Sequence, residues 1–163
     1  MPDSKPFKNA QPEAVNSQSG KNSYKVYLKT DDMLFSGGNG TGLSFYIKYA
    51  ENSTAENPIV IAKGVDEKGN EFERTININE IDPHNATIVE MRALEAYLNV
   101  DKGGGLSSLS LSAGNLGIND RIDFVAMFRK DINDLSLLRQ DQLVQFYSNS
   151  MKTYLDFLDQ KAR

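Results

Sequence analysis

Cysteine and tryptophan are absent from the 163 residues, and His84 is the single histidine. The first absence removes disulfides, thiolate metal sites and thiol nucleophiles together. One histidine cannot build a histidine-based metal centre, so no metal ligands are assigned. Without tryptophan, the chain lacks the best aromatic platform for a sugar cleft. The longest apolar run is only a few residues, which excludes a membrane-spanning helix. The formal net charge is −4 and no basic stripe stands out, so the electrostatic footprint of a nucleic-acid binder is missing. No apolar run follows Met1 to Pro6, and the expectation is a cytoplasmic protein without a leader. A secreted protein that has lost its leader would read the same way.

Residues 1–22 are rich in Pro, Asn, Gln, Ser and Lys, with only Phe7 and Val15 large and apolar. Such a stretch buries too little surface to offset the entropy of ordering it. It is read as a disordered tail, the alternative being a docking peptide, and residues 23–163 are read as a single domain. Tyr24, Val26 and Leu28 alternate with polar neighbours, the period of a half-buried strand. Leu43, Phe45, Ile47 and Tyr49 alternate again after the glycine-rich stretch Ser36 to Gly42. The segments flanking Asp66 to Glu71 form a hairpin. Pairing Val65 with Phe72, Ile61 with Ile76 and Ile59 with Ile78 places every large apolar side chain on one face, around a four-residue tip. This register sets Lys63 opposite Arg74 and leaves Glu67, at the tip, without a role.

Asp82-Pro83 offers one helix start, with His84 in its first turn, and Thr87 with Glu90 offers a capping-box start. Ile88, Met91, Leu94 and Leu98 are the buried stripe, and the helix should end near Asn99. Residues 101–119 form a Gly, Ser and Leu linker lying against the core through Leu106, Leu109, Leu111 and Leu116. Asp120 caps a further helix whose stripe is Phe124, Phe128, Ile132 and Leu135. No proline or glycine follows, yet one helix to Leu158 would run about 57 Å, longer than a compact domain of this size. A break is expected at Asn133-Asp134, with Asp134 capping the second piece. Phe146, Tyr147, Met151, Tyr154 and Phe157 form a broad apolar face, some of it expected to remain exposed and to meet a protein partner or a second copy.

Candidate chemistry is sparse. The glycine-rich stretch lacks the lysine of a phosphate-binding loop and is followed by a strand rather than a helix, so its first reading is a turn. The competing reading is a ligand site built from Gly38, Gly40, Gly42 and Asp32, in a small-ligand binder or hydrolase; Asp31 and His84 would have to converge on it. No nucleophile elbow and no calcium-loop spacing of acids is present, so no catalytic residue and no cofactor is assigned. Three Asn-x-Thr sequons, at Asn39, Asn52 and Asn85, are read as chance.

The block Ser36-Gly-Gly-Asn-Gly-Thr-Gly-Leu-Ser-Phe-Tyr-Ile-Lys-Tyr-Ala50, with Ala62 to Asp66 and Asn85 to Tyr97, resembles an uncharacterised, clostridial-type family of bacterial proteins. The resemblance implies a bacterial origin and carries over no functional assignment. The fold expected from the residues is α+β: an antiparallel sheet of about four strands packed by about three helices, ending in a long C-terminal helical region. The expected function is a non-catalytic interaction or assembly protein acting through those C-terminal helices.

Overall fold

Alternation at Leu43 to Tyr49 places Phe45 and Ile47 on one face of a strand, and both are buried. In the structure, a computed structural model describing residues 14–16, 25–27, 32–99, 109 and 111–161, this strand lies inside an antiparallel sheet. Two short strands, β1 (Ala14–Asn16) and β2 (Lys25–Tyr27), pair with each other. Four more, β3 (Met33–Gly38), β4 (Ser44–Tyr49), β5 (Ile59–Val65) and β6 (Glu71–Asn77), form a meander in sequence order. The expected sheet of four antiparallel strands is therefore present. β1 falls inside the stretch read as a tail; the rest of residues 1–22 lies outside the described residues.

The β5–β6 hairpin sits one residue away from the expected register. Val60 faces Ile76, Ala62 faces Arg74, Lys63 faces Glu73 and Val65 faces Glu71. The turn decides this. Asp66 and Asn70 close a three-residue loop: Asp66 N–H donates to the Asn70 carbonyl at 2.8 Å, and Gly69 N–H to the Asp66 carbonyl at 3.0 Å. Asp66 Oδ1 accepts from the N–H groups of Lys68 and Asn70, both at 2.9 Å. Gly69 has φ +86°, a left-handed conformation that costs glycine little. The slip turns Val60 and Ala62 inward and leaves Ile59 and Ile61 half-buried. It also replaces a like-charge pair by Lys63–Glu73, at 3.6 Å.

At Gly64 an added Cβ would overlap the Ser44 carbonyl oxygen and Phe45. The missing side chain leaves room above β5 for the Phe45 and Phe72 rings, whose centroids lie 6.3 Å apart across it. On the opposite face Met33, Tyr46 and Val65 are also buried, and β2 runs beside β3 and β4.

Helix α1 spans Ile88–Leu98. Of the two starts the sequence offers, the capping box is used: Thr87 Oγ1 accepts from Glu90 N–H at 3.1 Å, and Glu90 Oε1 from Thr87 N–H at 3.0 Å. Asn99, in the left-handed region at φ 54°, ends it where expected. α1 packs beside β3 and β5, burying Ile88, Val89, Met91, Ala93 and Leu94. Leu109 is buried and Leu116 packs against the core, as expected of the linker; Leu106 lies outside the described residues, and nothing is shown of the Leu111 side chain.

Helices α2 (Phe124–Leu137) and α3 (Asp141–Lys161) form an antiparallel hairpin. The C-terminal region does break, but at 138–140 rather than Asn133-Asp134, and Asp123 rather than Asp120 caps α2. Gln140 N–H donates to the Leu135 carbonyl at 2.9 Å and Arg139 N–H to the Ser136 carbonyl at 3.1 Å. These are the two bonds of a Schellman stop, with Arg139 at φ 59° in the position that glycine normally takes. No helix among the described residues is long and apolar enough to cross a membrane.

Candidate functional site

The glycine-rich loop is a self-satisfied turn. Its backbone donors are spent within the protein: Asn39 N–H on the Leu43 carbonyl, Gly40 N–H on the Gly114 carbonyl, and Gly42 N–H on the Asn39 carbonyl. Thr41 N–H goes to Asn39 Oδ1 at 3.0 Å and Leu43 N–H to Thr41 Oγ1 at 3.3 Å. The Asn39 amide donates to the Leu116 carbonyl at 2.7 Å, tying the loop to the segment before α2. Five consecutive N–H groups are thus unavailable to an anion, and the loop serves as a strand connection.

Gly38, Gly40 and Gly42 do not meet Asp32. Asp32 precedes Met33 at the opposite end of β3, where its carboxylate pairs with Lys48 at 2.9 Å. Asp31 lies outside the described residues. The expected ligand site is therefore not assembled by the fold.

His84 is not in a helix. Asp82, Pro83 and His84 make a turn in which Asp82 Oδ1 accepts from His84 N–H at 2.9 Å, and the Pro83 carbonyl accepts from Phe124 N–H at 2.8 Å. His84 Nδ1 lies 3.2 Å from Asp123 Oδ1, both side chains nearly half exposed. Burial pushes the Asp123 carboxyl up, but hydrogen bonds from Ala126 N–H and His84 outweigh it, leaving its pKa below the ordinary 3.8. Beside it, Arg121 donates to both oxygens of Glu90, at 3.1 and 3.2 Å. This corner clamps the starts of α1 and α2 together. No serine or threonine hydroxyl among the described residues bonds to His84, so no triad forms, and no group of three histidine or acidic side chains among them could hold a metal.

The aromatic residues assigned to an interaction face have mostly gone inside. Tyr147, Tyr154 and Phe157 are buried, contrary to the expectation that some would stay exposed. The Phe128 ring lies 6.3 Å from Tyr147 and stacks on Tyr154 at 5.8 Å. The hairpin supplies the reason: folding α3 back on α2 gives its wide apolar face an internal partner. Burial, and then the nearby Asp131 charge, push the Tyr147 hydroxyl above its ordinary pKa. Phe146 and Met151 remain partly buried.

Among the described residues, large apolar side chains left in water lie elsewhere, at Tyr49 and at the α2–α3 turn. Leu137 and Leu138, at the α2–α3 turn, are 76% and 67% exposed. Adjacent leucines on a helix point about 100° apart, so a stripe that buries Leu135 cannot also take both. At the far end of α3 lies an open groove of about 580 Å³, lined by Asn79, Tyr97, Leu98, Phe157, Gln160 and Lys161. Lys161 Nζ donates to the Ile81 carbonyl at 2.8 Å and lies 5.3 Å from the centre of the Phe157 ring.

Comparison with known proteins found no match to this chain among family models, curated sequences or solved structures.

Proposed function

We propose that the chain is a non-catalytic interaction module, acting in the cytoplasm through its C-terminal helical hairpin. The observation that carries this reading is the pair Leu137 and Leu138, fully apolar and largely in water at the turn between α2 and α3. Large aliphatic side chains presented together gain the transfer term on contact, less the cost of ordering them. The clostridial-type resemblance would make this a bacterial module. A ligand-binding or hydrolytic role for Gly38, Gly40, Gly42 and Asp32 has no such support, because the loop donors are spent and Asp32 is remote.

The test is site-specific photocrosslinking in the producing cell. A benzophenone side chain at position 138 is expected to capture a discrete protein, while the same group at Lys68, on the exposed hairpin tip, captures none. Equal or absent capture at both positions removes the reading.

A further inference from the structure

The chain contains a single Asn-Gly pair, Asn39-Gly40, in the connection between β3 and β4. Asn-Gly is the sequence in which an asparagine side chain is most open to attack by the next backbone nitrogen, because glycine has no Cβ to hinder it. In this fold all three participating groups are engaged. Gly40 N–H, the attacking nitrogen, donates to the Gly114 carbonyl at 3.1 Å. The leaving group, Asn39 Nδ2, donates to the Leu116 carbonyl at 2.7 Å. Asn39 Oδ1 accepts from Thr41 N–H at 3.0 Å and from the Thr41 hydroxyl at 2.6 Å. We propose that Asn39 is a deamidation site gated by folding: the closed loop protects it, and a chain whose loop has opened is marked irreversibly. This stands apart from the interaction reading above.

The chemistry is intramolecular. Gly40 N bonds to Asn39 Cγ, the Cγ–Nδ2 bond breaks, and the Gly40 proton leaves with Nδ2, by way of solvent, as ammonia. The succinimide so formed takes up one water and opens to aspartate or isoaspartate. Two effects compete in the closed loop. The Thr41 donors polarise the Cγ carbonyl, which favours attack. Against this, attack requires the Asn39 side chain and the following peptide to rotate, which breaks the bonds to Leu116, Gly114 and Thr41. Losing even one or two such bonds corresponds to about tenfold in an equilibrium, so protection wins. The products cannot retie the loop. Aspartate keeps an oxygen for Thr41 but sets a carboxylate, with no N–H, against the Leu116 carbonyl. Isoaspartate adds a methylene to the main chain inside the turn closed by Asn39 N–H and the Leu43 carbonyl.

The test incubates wild type, folded and in unfolding urea, at one mildly alkaline pH. Conversion is read by mass spectrometry of the peptide carrying Asn39. The folded protein is expected to convert at least about tenfold more slowly, since local opening must come first. A smaller difference, or faster conversion when folded, overturns the proposal. Thr41→Val removes the hydroxyl bond to Oδ1 and is expected to speed conversion in the folded protein, while Thr41→Ser restores protection. Circular dichroism melts establish that both are folded; a folded Thr41→Val that converts no faster than wild type overturns the gating, and if it does not fold, the wild-type comparison decides alone. Asn39→Asp, the direct product, should melt about 2–6 °C below wild type. An unchanged melt would show that the modified loop reties, and would overturn the marking.

Discussion

Glu67 Oε1, at the tip of the β5–β6 hairpin, accepts a hydrogen bond of 2.9 Å from the N–H of Ile118. The two residues are 51 positions apart, and the bond latches the hairpin to the segment entering α2. Gly117 lies so close that an added Cβ would press on the same carboxylate. Glu67 is therefore no bystander. Glu67→Ala is expected to cost about 1–2 kcal/mol, since the partly buried Ile118 N–H loses its acceptor. Glu67→Gln, which keeps an acceptor oxygen, should cost clearly less. Urea unfolding of the three proteins decides it; an alanine variant as stable as wild type means the latch contributes nothing.

The hairpin register makes a second prediction. Val60 is wholly buried opposite Ile76, whereas Ile61 is half-buried opposite Thr75. Val60→Ala should cost about 2 kcal/mol through lost burial and a residual cavity. Ile61→Thr keeps a β-branched side chain on the outer face and should cost less than about 1 kcal/mol. Denaturant midpoints give the order, and Ile61 proving the costlier site would restore the register expected from the sequence.

Acid should loosen the corner between α1 and α2. The Asp123 pKa is depressed in the folded protein, so the carboxylate contributes stability above its unfolded pKa, and that contribution is lost as pH falls through the folded value. Stability is expected to drop as pH is lowered from about 4 downward. Asp123→Asn retains a good N-cap but cannot titrate, so it should change little at neutral pH and flatten the acid limb. Thermal midpoints for both proteins across that window provide the check; parallel curves would show that Asp123 does not contribute to the acid sensitivity.

Arg139 occupies a left-handed backbone position, at φ 59°, where a side chain is strained. Arg139→Gly is expected to stabilise the fold by about 0.5–1 kcal/mol, less whatever glycine returns as chain entropy in the unfolded state. Differential scanning calorimetry on dilute protein, away from any self-association, reads the shift. A loss of stability would mean that the Arg139 side chain makes a contact worth more than the strain.

What the sequence determined by itself is whatever depends on neighbours within a turn or two. The capping box Thr87–Glu90, the stop at Asn99, the alternation of Phe45 and Ile47 and the α+β class are all legible, because each is set by local backbone bonds or a short period. The hairpin register is not. Ile59, Val60 and Ile61 are consecutive apolar residues, so either parity could face inward. The choice fell to the Asp66–Asn70 loop closure and the Lys63–Glu73 pairing, together with a core that admits Val60 and Ala62. The helix break is similar. No glycine or proline marks 138–140, and an arginine takes the left-handed site only because burying Phe128 against Tyr147 and Tyr154 outweighs the local strain. That same packing moved the aromatic face from the surface to the seam and left Leu137 and Leu138 outside. Long-range burial, worth more than any one backbone preference, decided the helix break and the placement of the aromatic face, and no local pattern records it.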